Sequence, residues 1–415
     1  MITIPFIYFS FLSFFFYRKH KQIDLATILS LMFAVSGCFS VLIDICNLRT
    51  GDTERYEISW LPAFLYCFLL TLCIFPISAF PLSRNLRLNP IKNVKLLKGL
   101  SVIALFWFLA FLVLAKDDIM RVLLGDMGDI RKDLYAGIAG EHWMMRLSGP
   151  IRVIFACLNI TFSCPWTLIF LGFYTIISNN ISRTYSYFFF LSSLSGPFNG
   201  IIGADRSQVA YWIISLMLIY WLFKPHLPKS VKRRLNVLGL VVLGGLVLYL
   251  ASMTISRFEN DDNSGGPLGS LYVYLGQPYI NFCYFFDNYE LPFQHWGIVF
   301  PAISQFIFGI KAGGTLIQQQ MSLLSGKFTG VFYTFIGHLM IGVGQITAAV
   351  LTFIYALLST RILYKIKKRK AKGVDSVFLF FAISSVVALG LFGHYYAGVG
   401  NALGVFFMYL IIRLL

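Results

Sequence analysis

The chain has 415 residues, of which 58% are hydrophobic, 17% are aromatic and 13% are charged, and its formal net charge is +16. A soluble domain is about 45–50% apolar and about a quarter charged, so this composition excludes a soluble enzyme, a disordered protein and a disulfide-stapled secreted module. It indicates a polytopic membrane protein, because the apolar residues recur in runs near the ~20 residues with which a helix crosses a bilayer.

Eleven apolar runs predict an all-α fold with about 11 transmembrane helices, since an isolated strand cannot satisfy its backbone in lipid. The runs lie at residues 2–17, 25–46, 58–80, 99–115, 150–178, 186–203, 207–223, 235–255, 331–360, 374–393 and 395–413. Basic residues follow the first run and none precedes it, which is the reverse of a cleavable signal peptide. We therefore expect a single polytopic domain over residues 1–415 with its N-terminus outside.

The basic residues identify the side of the membrane on which each connection lies. Alternate connections carry 22 of the 34 basic residues but only two acids, Asp24 and Asp375. The main basic groups there are Arg18/Lys19/Lys21, Arg84 to Lys98, Arg183, Lys224 to Arg234, Arg361 to Lys372, and Arg413. The positive-inside rule places this side and the C-terminus in the cytoplasm. The net charge is thus a topological signal and does not indicate a nucleic-acid partner.

Two long segments, about 116–149 and 256–330, are predicted to lie on the opposite, outer side; both are mixed in charge, and the second is rich in aromatic residues. Long loops of this kind are usually functional. Within the second segment, residues 291–310 are apolar but interrupted by prolines and glycine, which indicates a re-entrant or interfacial helix, or else a further span. The carboxylates between Asp117 and Asp133 are interpreted as a solvated loop, and no metal site is predicted.

Four arginines on the outer side are candidates for binding a polyanion, because the guanidinium fork binds phosphate oxygens in a bidentate manner. Arg206 follows Asp205 in a tight connection, where it is predicted to begin a helix. Arg257 comes directly after a span, and Arg146 and Arg152 flank the outer start of the fifth run. Each has an alternative structural role, as a loop tip or an anchor to lipid headgroups.

Further polar and aromatic residues on this side suit a sugar substrate. His338 lies in the stretch 333–338 and is a candidate general base, with Asp205 as an alternative; a structural histidine bonded to a backbone carbonyl is an equally plausible interpretation. His394 is interpreted as an interfacial residue. Residues 272–289 predict an amphipathic helix on the membrane surface, whose aromatic faces and amides contact sugar rings. The candidate sugar-binding residues are Tyr272, Tyr274, Gln277, Tyr279, Asn281 and Tyr333.

With these residues in view, the chain resembles the bacterial oligosaccharide repeat-unit polymerases, the O-antigen polymerase (Wzy-type) family. The resemblance rests on the Gly-x-x-Arg-Ser step from Gly203 to Ser207, on Arg257 after a helix, and on the stretch 333–337 that leads into Gly342-Val343-Gly344. Many relatives have Asp-Phe-Gly at that last position, so the role of their carboxylate does not transfer to this chain.

The resemblance implies a membrane glycosyltransferase of GT-C-like architecture in the bacterial inner membrane, with a periplasmic active site. Its substrate would be an oligosaccharide linked to undecaprenyl diphosphate, and its partners would be membrane lipid and, as a candidate, a chain-length regulator protein. The activated diphosphate leaving group requires no nucleotide, and arginines would stabilise its charge in place of a metal or other cofactor.

Three alternatives remain open. An O-antigen ligase would use a similar arginine-rich outer site, with lipid A core as the acceptor. A flippase would move the same lipid-linked oligosaccharide without chemistry, and would be expected to show charged mid-membrane residues and a repeat. A membrane acyltransferase would need a buried histidine–carboxylate pair open to the cytoplasm, which the nearly acid-free inner side disfavours.

Overall fold

The computed structural model describes residues 1–49, 53–54, 56–79, 89–124, 147–178, 181–202, 206–237, 239–240, 244–245, 248, 266–288, 333–368, 373–397 and 399–415. Within these ranges every regular element is helical. The helices are α1 (Ile4–His20), α2 (Leu25–Ile45), α3 (Trp60–Ala79), α4 (Val94–Leu114), α5 (Lys116–Leu124), α6 (Gly149–Phe162), α7 (Pro165–Ile177), α8 (Arg183–Ser193), α9 (Ser195–Ile202), α10 (Arg206–Phe223), α11 (Gly266–Asn288), α12 (Thr334–Val343), α13 (Gln345–Lys368), α14 (Val374–Leu389) and α15 (Val399–Leu414).

The helices have the length and surface expected of a membrane protein. Five of them in the described ranges are long and apolar enough to cross a membrane, or six if the bent pair α6–α7 counts as one span. Large apolar side chains on their outer faces are open to the surroundings, including Phe11 (69% exposed), Phe106 (63%) and Val113 (68%). The predicted all-α, membrane-embedded class is confirmed at this level.

Three predicted spans are interrupted, two of them at a residue that changes the backbone. The run 150–178 forms α6 and α7, which meet at 66°, because Pro165 forces the preceding Cys164 out of the helical conformation. The run 331–360 divides into α12 and α13 at Gly344, whose φ of +83° lies in the left-handed region. The run 186–203 forms α8 and α9. Each of these runs is divided into two helices, and its prediction as one continuous transmembrane helix is not confirmed.

The acidic residues predicted to form a solvated loop differ in part from the structure, and two apolar runs lie wholly or mostly outside the described residues. Asp117 and Asp118 lie in the first turn of α5 rather than in a loop, where carboxylates favour the positive end of the helix dipole. Most of the run 235–255 and all of 291–310 lie outside the described residues.

The chain forms two compact units, each discontinuous in sequence. Unit one comprises Met1–Ser83, Asn260–Lys370 and Phe380–Val399. In it, α2 packs closely against α1 and α11 through small residues, as membrane helices commonly do. The Ser36 and Ser40 hydroxyls donate to the carbonyl oxygens of Leu275 (2.7 Å) and Gly276 (2.6 Å). Gly276 is required at this crossing, since an added Cβ would lie 2.5 Å from the backbone of α2.

Unit two comprises Arg84–Glu259, Ala371–Leu379 and Gly400–Leu415. Its centre is α7, which is buried along almost its whole length and packs against α8 and α10. Trp166 stacks on Phe378 at 5.0 Å between ring centroids. The C-terminal carbonyl of Leu415 accepts hydrogen bonds from the backbone N–H groups of Lys92 and Asn93. The expectation of one polytopic domain stays a prediction.

Candidate functional site

The arginines predicted to bind the diphosphate are only partly described. Arg206 is the first residue of α10, which confirms that a helix begins there. Arg152 lies on α6 and is exposed. Asp205, Arg257 and Arg146 lie outside the described residues. The backbone of Arg206 is described, but its side chain is not. The convergence of these groups on one anion therefore stays a prediction.

The candidate sugar-binding residues of the segment 272–289 lie on α11, so the predicted helix is confirmed. Its setting differs from a membrane surface, because the helix packs against α2, α3 and α12 within unit one. Tyr279 is fully buried, and its ring lies 4.9 Å from that of Tyr66. Asn281 is 6% exposed. Tyr272, Tyr274 and Gln277 are half-buried and hence remain the more accessible members of the set.

His338 lies on α12, a helix with all ten residues buried. Helices that are apolar on every side are found inside a protein or membrane, and this one spans only about 15 Å at 1.5 Å per residue. His338 itself is 8% exposed. Its ring lies 5.8 Å from that of Tyr333 and 5.9 Å from that of His394. We call His338, Tyr333 and His394 the histidine cluster.

Two turns bring the cluster together. Tyr333 precedes α12, where Thr334 adopts a φ of +43°, an uncommon conformation for a residue with a β-branched side chain. The backbone N–H of Phe335 donates to the carbonyl of Gly390 at 2.7 Å. This bond ties the start of α12 to the turn after α14, which carries His394. The sequence did not predict the pairing of the two histidines, since they are 56 positions apart and no motif joins them.

His394 is half-buried, and its desolvation, followed by the neighbouring His338, lowers its pKa to about 3. His394 is consequently neutral at pH 7, and its protonation there would cost about 5 kcal/mol at 1.36 kcal/mol per pH unit. A group with so low a pKa is a weak proton acceptor, but as a neutral imidazole it both donates and accepts a hydrogen bond. Within the cluster His338 is therefore the better candidate for contacting a substrate hydroxyl, with His394 beside it.

A cavity of about 710 Å³ lies in unit one beside the chain's first residues. We call it the N-terminal cavity. Its polar lining consists of Asp44, Asn47, Arg49, Glu54, Tyr56 and Glu57. The volume falls within the range usual for small-molecule sites, about 300–1,000 Å³. This cavity was not predicted from the sequence; the signal that could have indicated it is the concentration of charged residues in the short connection 44–57.

The walls of the N-terminal cavity are fixed by charge-assisted bonds. The Arg49 guanidinium contacts the Asp44 carboxylate at 2.6 Å and donates to the Tyr56 carbonyl at 2.6 Å. The Tyr56 and Ser59 hydroxyls both donate to the Asp287 carboxylate, at 2.6 and 2.9 Å. Burial and the bond to Asp287 raise the pKa of Tyr56. Tyr56 therefore stays protonated and holds the end of α11 against this connection.

A further histidine–carboxylate contact lies on the side that the basic residues predict to be cytoplasmic. His20 Nδ1 and Asp24 Oδ2 are 2.6 Å apart, and both side chains are at least nine-tenths buried. The same carboxylate caps α2 by accepting bonds from the Thr27 backbone N–H (2.9 Å) and hydroxyl (2.7 Å). A buried histidine–carboxylate pair is therefore present on this side, contrary to the expectation from its few acidic residues. The bonds from Thr27 give Asp24 a structural role as an N-cap.

Within the described residues, no group of three or more His, Cys, Asp or Glu side chains is arranged to hold a metal ion. Comparison of the chain with protein-family models, with curated proteins and with solved structures finds no match in any of the three.

Proposed function

We propose that the protein polymerises lipid-linked oligosaccharide repeat units on the periplasmic face of the bacterial inner membrane. In this proposal about eleven spans and a cytoplasmic C-terminus orient the chain. The growing glycan is transferred from undecaprenyl diphosphate to the terminal sugar of another lipid-linked unit. An acceptor hydroxyl attacks the anomeric carbon of the donor, the bond from that carbon to the diphosphate oxygen breaks, and the hydroxyl proton passes to a base or to the leaving group.

The observation that carries the proposal is the histidine cluster. A reaction between two sugars needs a group that orients or deprotonates a hydroxyl, and His338 is a buried imidazole on the side predicted to face the periplasm. Its ring neighbours are aromatic or neutral, because His394 carries no charge at pH 7. Tyr272 and Tyr274, the half-buried tyrosines of α11, supply aromatic faces on which sugar rings stack. Tyr333 is only 2% exposed and packs beside the His338 ring instead.

The diphosphate is assigned to Arg206 and Arg257, with Arg146 and Arg152 as further anion-binding residues. Guanidinium groups stabilise the charge that develops on a leaving group most effectively where water is excluded. The N-terminal cavity supports the proposal as a place for the acceptor glycan, because carboxylates, an amide and Tyr56 match the hydroxyls of a sugar.

The test compares glycan length in cells in which a variant is the sole copy of the protein. Arg206→Ala, Arg257→Ala and His338→Ala should each abolish long-chain glycan and leave single repeat units and protein levels intact. Lysine at either arginine position should restore activity only in part, since it lacks the bidentate fork. Arg361→Ala, on the predicted cytoplasmic side, is the matched control and should leave chain length unchanged.

The same experiment distinguishes the alternatives. Polymer that forms normally on the lipid carrier but never reaches lipid A core would favour the ligase. Repeat units that accumulate in the cytoplasmic leaflet would favour the flippase. Normal chain-length ladders in both arginine variants would contradict the proposed site.

A second test uses purified protein in detergent with lipid-linked repeat units, excess chelator and no nucleotide. Polymer should still form if arginines alone hold the diphosphate. A complete loss of activity that added metal restores would move the catalytic assignment to the acidic segment 117–133.

A further inference from the structure

A second cavity, of about 230 Å³, lies in unit two between α8 and the helical residues 229–237. We call it the arginine cavity. Two cationic residues line it, Arg183 and Arg234, which come from different connections of the chain. The rest of the lining is Ser186, Tyr187 and three aliphatic side chains, Ile176, Val231 and Leu235. The described lining contains no carboxylate.

The charges around the arginine cavity favour an anion. Arg183 is the first residue of α8, and the first turn of that helix contains no acidic residue. The N-terminus of a helix carries a partial positive charge and unpaired N–H groups, so a cation there is unfavourable unless an anion is close. Arg234 adds a second full charge at the same cavity. A phosphate group would offset the positive charge of the helix N-terminus and of the two arginines, and would accept hydrogen bonds from both guanidinium groups.

The apolar part of the lining restricts the kind of anion. At about 230 Å³ the cavity is smaller than usual sites for whole ligands, so it suits a headgroup whose remainder lies outside. An exposed, largely apolar strip of side chains continues from the cavity along α8. Tyr187 and Leu191 are one turn apart, on the same face of the helix, and each is 46% exposed. An acyl chain can pack against this strip, whereas a soluble phosphate compound would make no favourable apolar contact with it.

The position of the arginine cavity agrees with a lipid ligand. Both arginines belong to connections that the basic residues predict to be cytoplasmic, at the level of the lipid headgroups. Basic pockets between helices on that side of a membrane are suited to anionic lipids.

We propose that the arginine cavity binds an anionic phospholipid of the leaflet it faces. The phosphodiester lies between Arg183 and Arg234, and one acyl chain follows Tyr187 and Leu191. This site is separate from the proposed glycan chemistry and does not depend on it.

The experiment uses the full-length protein, purified and delipidated in a neutral detergent. Dioleoyl phosphatidylglycerol, dioleoyl phosphatidylcholine and inorganic phosphate are added separately. Binding is followed by native mass spectrometry and by the rise in unfolding temperature that a ligand of the folded state produces. The variant is Arg183→Gln with Arg234→Gln. The control is Arg233→Gln with Lys229→Gln, which removes the same charge from residues outside the lining.

We expect phosphatidylglycerol to bind and stabilise the wild type and the control. In the cavity variant its affinity should fall by about tenfold or more, the loss that follows from removing charge-assisted bonds. Replacing both arginines with lysine should give an intermediate affinity, which also shows that the fold tolerates the change. Equal binding of phosphatidylcholine, or equal losses in the variant and the control, would overturn the proposal. Displacement of the lipid by inorganic phosphate, with equal stabilisation, would assign the cavity to a free anion instead.

Discussion

The pH dependence of stability offers a direct test of the histidine cluster. Burial and His338 hold the pKa of His394 at about 3 in the folded protein, whereas an exposed histidine titrates near 6.5. Folding therefore favours the neutral form. This contribution to stability is fully present above pH 6.5 and is lost as the pH falls toward 3.

The size of the effect follows from the two pKa values. Between pH 8 and pH 5 the unfolded chain takes up a proton at His394 and the folded protein does not. At 1.36 kcal/mol per unit over the 1.5 units below pH 6.5, the folded state loses about 2 kcal/mol. An unfolding entropy of about 2.1 cal/mol/K per residue, over 415 residues, converts this into a fall of about 2 °C in Tm.

The assay compares Tm at pH 8 and pH 5 for the wild type, His394→Gln and His338→Gln in one detergent. In His394→Gln the acid-induced fall should be smaller by the calculated amount. In His338→Gln it should also shrink, because removal of the neighbouring imidazole raises the pKa of His394. His226→Gln serves as the comparison, since burial and Lys232 lower its pKa as well.

An acid-induced fall in Tm that is the same in the wild type and in His394→Gln would refute the reasoning. It would mean that the ring is solvated in the folded protein and that the two histidines are not packed together. The candidate role of His338 would then lose its structural basis.

Three further predictions concern packing, capping and topology. Gly276→Ala should destabilise the protein by about 1–3 kcal/mol, because the added Cβ meets the backbone of α2. In the control Gly99→Ala the added Cβ meets nothing within 4 Å, so this change should be neutral or stabilising by up to ~1 kcal/mol. Equal Tm values for the two variants would contradict the close crossing of α2 and α11. Asp24→Ala should lower the free energy of unfolding by about 1–2 kcal/mol through the lost helix cap. The Asp44 side chain is 45% exposed, so Asp44→Ala should lower it by less than about 1 kcal/mol. Thermal unfolding measures both, and a larger loss in Asp44→Ala would contradict the assignment of Asp24 as the cap of α2. Reporter fusions at residues 365–368 should be active only in the cytoplasm, and a periplasmic signal there would reverse the predicted topology.

Much of the fold could be predicted from the sequence because membrane helices are specified locally. A run of about 20 apolar residues must become a helix to satisfy its backbone. Helices α2 and α3 begin and end close to the predicted limits, whereas α4 ends near its predicted limit but begins earlier, at Val94. The predicted spans are divided into two helices where a single residue changes the backbone. Pro165 and Gly344 each lie inside an apolar run, and hydropathy does not register the break that they cause.

The candidate site was less predictable, because its members are distant in sequence. His338 was identified by its type and depth, but its contact with His394 depends on the turn that brings Gly390 to Phe335. The N-terminal cavity was not predicted because it forms only where the first residues of the chain pack beside the connection 44–57. A helix over 272–289 was predicted and α11 occupies Gly266–Asn288, but it packs against α2, α3 and α12 rather than lying on the membrane surface.

The sequence by itself determined the chemical class of the protein: a mainly apolar, helical, membrane-embedded chain whose basic residues mark one side. These properties follow from composition and from the cost of placing charge and unpaired backbone groups in lipid, and each residue contributes independently of its distant neighbours. The tertiary structure decided which ionisable groups share a site. The low pKa of His394, the bond between Tyr56 and Asp287 beside a cavity, and the position of Arg183 and Arg234 in the lining of one cavity all arise from packing between distant segments. Burial and electrostatic coupling act through space over a few ångströms, so they exist only once packing has fixed the distances.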